Sequence, residues 1–176
     1  MISIKDRRQS VTLLHVIMFF LLLVTGGCKV NYSFTGGDTG DAKTINIRYF
    51  QNNATIVVPT LSQQLTEALR DKFTSETSLV LVNQKSDLIL EGSITGYQTQ
   101  PVAISGNDQA QLNRLTITVD VTYTNTLEED KSFQTKFSRY SDYSSDKSLT
   151  SVEEELIAEI NTMIVEDIFN KAVINW

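Results

Sequence analysis

The chain has 176 residues, of which 41% are hydrophobic and 20% are charged, with two prolines and eight glycines. This is the ordinary composition of one globular domain. The formal net charge of −6 argues against a nucleic-acid partner, because phosphate backbones are bound by basic surfaces.

Residues 1–27 differ in kind from the rest and predict a secretory signal peptide. The short basic start MISIKDRRQS precedes an apolar run from Val11 to Val24, and the small residues TGG follow. At a rise of about 1.5 Å per residue, this run is shorter than the roughly 30 Å hydrocarbon core of a bilayer. A cleaved signal therefore explains the segment better than a permanent transmembrane anchor.

The single cysteine, Cys28, stands directly after the signal segment. It has no second cysteine for a disulfide, and a redox or catalytic thiol would need a neighbouring base. Small residues followed by cysteine resemble the lipobox of bacterial lipoproteins, with Thr25 where such motifs usually carry leucine. We therefore expect cleavage before Cys28 and acylation of that residue. Several acyl chains, at about 0.8 kcal/mol per buried methylene, would anchor the protein stably.

Cleavage at this point would also limit the chemistry of the mature chain. His15 is the only histidine, and it lies in the segment that would be removed. Catalytic sites built on Ser-His-Asp or Cys-His, and zinc sites that need histidine or thiolate, would then be lost. We therefore predict that the protein is not an enzyme and that it needs no cofactor and no metal. A hydrolase built on carboxylates alone is the remaining enzymatic alternative.

Residues 28–41 are rich in Gly, Ser and Thr and predict an acylated cysteine with a flexible tether, followed by a folded domain over residues 42–176. The stretch KTINIRYF alternates, with Ile45, Ile47 and Tyr49 on one face, which predicts a half-buried strand. The stretch TLSQ then has the capping-box pattern. The apolar residues that follow it have helical spacing and predict a helix over about 61–75.

Four further strands and a helix complete the predicted domain. LVLV is a short strand, and DLILEGSITGYQTQP is a long one in which Gly92 and Gly96 leave room on the face of Leu88 and Leu90. LNRLTITVDVTYTN alternates most regularly, and SFQTKFSRYSDY is the fifth strand. The stretch TSVEEELIAEINTMIVEDIFNKAVIN predicts a long amphipathic helix with Ser or Thr at its start and acids in its first turn.

This element order predicts an α+β fold. The economical arrangement is a two-layer sandwich, in which a four- to five-stranded, mainly antiparallel sheet carries both helices on its apolar face. The other face is polar and rich in threonine. It would stay open or meet a partner.

Several blocks of the sequence resemble the LptE family of lipopolysaccharide-assembly lipoproteins of Gram-negative outer membranes. They are GCKVNYSFTGG, KTINIRYFQNNATIVVPTLSQQLTEALRDKF, TSLVLVNQKSDLILEGSITGYQTQPVAI, LNRLTITVDVTYTNT and VEDIFNKAVINW. Together they cover nearly the whole mature chain. The resemblance implies a small sheet packed by two helices and no enzymatic activity.

The same resemblance implies a location and partners. Such proteins plug and stabilise the LptD β-barrel and assist lipopolysaccharide transport and assembly. The implied partners are an LptD-like barrel, lipopolysaccharide and the outer-membrane bilayer, which the acylated Cys28 would enter. The domain would lie on the periplasmic side, within the barrel. Lys29 follows the cysteine where some bacteria use aspartate to retain lipoproteins in the inner membrane, and this favours outer-membrane delivery.

A ligand with anionic lipid A phosphates needs local Lys or Arg, despite the acidic total charge. We therefore hypothesise a lipopolysaccharide-binding group on the polar sheet face or its rim, formed by Arg48, Arg114, Lys136 and Arg139. The alternative is that these four are ordinary solvated cations.

A second functional hypothesis is an auxiliary lipoprotein of another envelope lipid-transport system, such as phospholipid traffic. It would use the same anchor and a similar sandwich. Copurification with a large β-barrel separates the two hypotheses.

Overall fold

The computed structural model describes residues 39–102 and 111–173. The predicted signal peptide, Cys28 and most of the predicted tether lie outside the described residues. The described part contains six strands and two α-helices. The strands are β1 (Thr44–Ile47), β2 (Gln51–Asn52), β3 (Val80–Leu81), β4 (Leu88–Val102), β5 (Leu112–Asn125) and β6 (Phe133–Ser144). The helices are α1 (Leu61–Glu76), between β2 and β3, and α2 (Leu149–Val173), after β6.

The strands form one mixed sheet in the order β3-β1-β4-β5-β6, and β2 pairs with β4 beside this path. The β4–β5 and β5–β6 pairs are antiparallel, whereas β1 is parallel to β3 and β4, and β2 is parallel to β4. The predicted α+β class is confirmed, whereas the sheet is mixed and has six strands, where a mainly antiparallel sheet of four to five strands was predicted. Parallel pairing follows from α1, because a crossover helix returns the chain in its original direction.

The alternation of apolar and polar residues in β5 correctly predicted which of its side chains are buried. Leu115, Ile117, Val119 and Val121 are fully buried, and the intervening side chains are partly exposed. The apolar stripes of both helices join the same hydrophobic cluster, and Phe73 of α1 meets Phe169 of α2 edge to face, with ring centroids 5.2 Å apart. The bounds of both helices agree with the prediction to within a few residues.

Two residues of the predicted strands lie on faces other than those expected. Because β1 ends at Ile47, the chain leaves the alternation there, so that Tyr49 is 48% exposed and Phe50 is the buried aromatic residue. A register irregularity between Ile94 and Gly96 then switches the faces of β4. Gly96 consequently pairs with Thr118 on the polar side, whereas the apolar-face prediction holds for Gly92 alone.

The predicted helix starts also need correction. Thr60 is the N-cap residue of α1, but its backbone has the helical φ and ψ of −84° and −19°, and its side chain makes no capping hydrogen bond. A capping side chain normally requires an extended backbone at this position. Gln63 instead donates to Glu67 at 2.9 Å. Helix α2 begins at Leu149, so that its glutamates fall beyond the first turn.

Candidate functional site

The side chains of β4, β5 and β6 that point away from the apolar cluster form a surface that we call the polar face. In β5 it consists of Arg114, Thr116, Thr118, Asp120, Thr122 and Thr124, and all six are partly exposed. The register brings Thr118 opposite Ser138, whose hydroxyls are 3.0 Å apart, and Asp120 opposite Lys136. Hydroxyl and amide groups dominate this surface. It therefore suits contact with another polar surface.

Arg114 lies on the polar face, where a carboxylate already binds it. Its Nε and Nη2 atoms donate to the two oxygens of Asp142 at 2.7 and 2.8 Å, and its guanidinium lies 3.6 Å from the centre of the Tyr140 ring. These hydrogen bonds raise the pKa of Arg114 and lower the pKa of Asp142. An anionic ligand at this position would have to share Arg114 with Asp142 or displace it.

Arg48 and Arg139 are also paired with carboxylates, at separate places. Arg48 forms an ion pair with Glu91 of β4. Arg139 lies opposite buried Ile117 and therefore projects on the apolar side, where it donates to both oxygens of Asp167 in α2 at 2.6 and 2.7 Å. The structure thus places Arg139 at the β6 rim beside α2. It does not bring the four predicted cations together as one cluster.

Lys136 is the exception among the four. Its side chain is exposed on the polar face, and it forms no ion pair with any residue that the structure describes. Asp120 is its register partner on β5. Lys136 is therefore the predicted binding residue whose charge is most available to an incoming anion.

A group of three cations, of which the sequence analysis named only Arg48, lies at the edge of the sheet formed by β3 and β1. A cleft of about 440 Å³ is lined by the end of β1, the loop after β3 and one turn of α1, and we call it the edge cleft. Its cations are Arg48, Arg70 and Lys85. Its remaining lining residues are Asn46, Ile47, Tyr49, Asn83, Gln84 and Ile89.

Topology explains why the sequence analysis missed this group. Arg70 sits on the polar side of a predicted helix, and Lys85 lies in a predicted turn, far from Arg48 in the chain. Only the parallel pairing of β1 with β3, together with the crossover through α1, brings the three side chains to one edge. No motif spacing carries that information. The three cations could have been placed together only if parallel pairing had been predicted for the first strand.

Two negative findings apply to the described residues alone. Within residues 39–102 and 111–173, no group of three or more His, Cys, Asp or Glu side chains could hold a metal ion. In the same part of the chain, neither helix combines the length and apolarity that a membrane crossing requires.

A family model described as LptE, lipopolysaccharide-assembly, matches residues 42–172. A comparison with curated proteins finds no match. Among solved structures, the rare lipoprotein B from Shewanella oneidensis is 11% identical, with a TM-score of 0.47 over 73% of this chain and 90% of that chain. A minor lipoprotein from Acinetobacter baumannii is 14% identical, with a TM-score of 0.43 over 75% of this chain and 96% of that chain. The hypothetical protein CT253 from Chlamydia trachomatis is 8% identical, with a TM-score of 0.49 over 76% of this chain and 99% of that chain.

Proposed function

The chain belongs to the LptE family of lipopolysaccharide-assembly proteins, and from that membership we propose that it plugs and stabilises an LptD-like β-barrel of the outer membrane. In this role it assists the transport and assembly of lipopolysaccharide and catalyses no reaction. The observation that carries the proposal is the family match over residues 42–172, which covers most of the folded domain.

The polar face of the sheet suits a plug. We propose that both helices lie on the apolar face of the sheet, as a two-layer sandwich, so that the polar face is free for the wall of a barrel. In support, α1 and α2 contact each other through Phe73 and Phe169, and their buried residues join the apolar side of the sheet. The lumen of an outer-membrane barrel is polar. Threonine hydroxyls along β5 can exchange hydrogen bonds with such a surface.

The anchor is proposed from the sequence. Cleavage before Cys28 and acylation of that residue would hold the domain at the outer membrane, on the periplasmic side and within the barrel. A Cys28→Ser change is expected to remove the acyl mass, which intact-protein mass spectrometry measures. A Cys28→Ser/Ser33→Cys chain is the matched control, because it keeps one thiol but moves it away from the small residues TGG.

Lipopolysaccharide is the proposed ligand, and Lys136 is the first residue to test. Arg48, Arg114 and Arg139 remain candidates, but each already binds a carboxylate, which a phosphate would have to displace or to share the arginine with. An ammonium group that already faces solvent can bind a phosphate at lower cost than a paired guanidinium.

The test measures lipopolysaccharide binding by the full chain in detergent. Lys136→Glu is expected to weaken binding by about tenfold, since it replaces attraction by repulsion. Lys147→Glu is the control, because it makes the same charge change at an exposed lysine outside the polar face. Equal affinities of the wild-type and Lys136→Glu chains would remove Lys136 from the proposed site.

The alternative function, in another envelope lipid-transport system, predicts a different partner. The same tagged chain would then copurify with a lipid-traffic protein and without a large barrel.

A further inference from the structure

The edge cleft has a local charge opposite to that of the protein. The chain has a net charge of −6, yet Arg48, Arg70 and Lys85 line this one concavity. None of the described residues in its lining is a carboxylate, and Glu91, the partner of Arg48, lies outside the lining. Three cations against one adjacent carboxylate leave the cleft positive. An anion is therefore the ligand that its electrostatics favour.

The cleft also holds fixed hydrogen-bond donors. Asn46 of β1 donates a hydrogen bond from Nδ2 to the backbone oxygen of Gln84, in the loop after β3, at 3.1 Å. Arg70 is fixed by a hydrogen bond from Nη2 to the backbone oxygen of Ile47 at 3.1 Å. The buried Nε of Arg70 has no hydrogen-bond partner among the described residues. The bond from Nη2 therefore fixes the position of the Arg70 guanidinium against the end of β1.

The position of the cleft in the fold supports the same conclusion. It lies where the parallel strands β1 and β3 end, and α1 is the crossover between them. Ligands of sheets with parallel strands commonly bind outside the carboxyl ends of those strands. Strand β3 pairs with β1 only at Thr44 and Ile45, and the half-exposed ring of Tyr49 lines the cleft beyond this pairing.

We propose that the edge cleft binds a phosphate group, carried either by a lipid headgroup or by a soluble phosphate. Guanidinium and ammonium donors, with side-chain amides beside them, match the several oxygens of a phosphate. Arg114, which binds Asp142 on the polar face, does not line this cleft. The lipid source rests on the proposed function, whereas phosphate binding itself needs no barrel partner.

The test titrates the full ¹⁵N-labelled chain, in detergent micelles, with inorganic pyrophosphate and follows backbone amide shifts. Shifts are expected at residues 46–49 and 83–85. The double variant Arg48→Gln/Lys85→Gln is expected to weaken the affinity by about fivefold or more, through the loss of two charged donors. It leaves Arg70 in place, so that the hydrogen bond to the Ile47 backbone is kept.

Lys147→Gln is the matched control, since this exposed lysine lies beside Glu155 and Glu159 in a different cleft. It should bind pyrophosphate as the wild type does. Absent shifts in the cleft, or an equal loss of affinity in Lys147→Gln, would overturn the proposal.

Lipid A added to the micelles identifies the source of the phosphate. If it shifts the same amides and pyrophosphate displaces it, the cleft takes a lipid headgroup. If pyrophosphate alone binds there, the cleft takes a soluble phosphate. Copurification of the double variant with the barrel tests the plug role separately from phosphate binding by the cleft. A variant that no longer binds pyrophosphate but still copurifies with the barrel has lost the function of the cleft alone.

Discussion

Gly92 is a residue at which the packing leaves no space for a side chain. A Cβ atom there would lie 2.2 Å from the backbone oxygen of Asp120 and 2.6 Å from Cε1 of Phe50. Both contacts are far inside van der Waals distance, and the first is to backbone of the neighbouring strand. The absence of a side chain at this position allows the ring of Phe50 to pack onto β4.

Gly92→Ala is therefore expected to lower the free energy of unfolding by about 2–3 kcal/mol, as overpacking of a rigid site does. Gly96→Ala is the matched control on the same strand, where the nearest atom would be the Thr118 Cβ at 3.1 Å. Urea denaturation of both variants measures the difference. Equal losses would show that the fit of Phe50 against Gly92 is not the cause.

Asp87 joins the start of β4 to the start of β1 through its carboxylate. Its Oδ2 accepts hydrogen bonds from the backbone N–H groups of Lys43 and Thr44, both at 3.0 Å, and from the Thr44 hydroxyl at 2.8 Å. The Lys43 backbone bond makes the largest contribution to lowering the pKa of Asp87 below its ordinary value of 3.8. The ionised carboxylate is therefore stabilised more in the folded state than in the unfolded state.

A lowered folded-state pKa gives stability that is complete above the unfolded pKa and is lost as the pH falls through the folded pKa. The wild type is therefore expected to exceed Asp87→Asn in unfolding free energy by a constant amount between about pH 7 and pH 5, and the difference should narrow below about pH 4. Denaturation at several pH values measures it. A difference that persists unchanged into acid would mean that the charge of Asp87 is not involved.

At the scale of elements, the sequence predicted well wherever periodicity extends over many residues. The alternation of β5 and the apolar stripes of both helices identified the core, because burial repeats with the pitch of each element. Strand β2 was not predicted, because a strand of two residues is too short to show an alternation of apolar and polar side chains. The parallel pairing of β1 was missed because alternation within a strand does not report its neighbours. The switch of faces between Ile94 and Gly96 of β4 depends on the register between strands, which the sequence of one strand does not encode.

The contact between α1 and α2 is expected to be a main source of stability. Phe73 and Phe169 are almost fully buried and meet at an interplanar angle of 70°. Phe169→Ala should therefore lower the free energy of unfolding by about 3–5 kcal/mol, because apolar burial is lost and a cavity remains. Tyr140→Ala is the control, because its ring is 49% exposed on the polar face and should cost less than about 1 kcal/mol. Thermal and urea unfolding test both, and a small loss for Phe169→Ala would argue against close helix packing.

At the scale of the whole molecule, the sequence predicted the family and a polar sheet face. It did not predict which cations lie close together in the fold. Three of the four predicted cations have carboxylate partners in the fold, and Arg139 projects towards α2. Residue type alone does not report such pairing, because the partners are brought together by strand register and helix packing. The edge cleft escaped prediction for the same reason. Its three cations come from a strand end, a helix and a loop.

The proposed role places this domain inside a large outer-membrane barrel. The most direct test is a pull-down of the C-terminally tagged full chain from detergent-solubilised outer membrane, followed by mass spectrometry of the proteins that copurify. An LptD-like β-barrel in a stoichiometric amount is the predicted result. Recovery of an inner-membrane transporter or a lipid-traffic protein, with no barrel, would contradict the plug role and favour another envelope lipid-transport system.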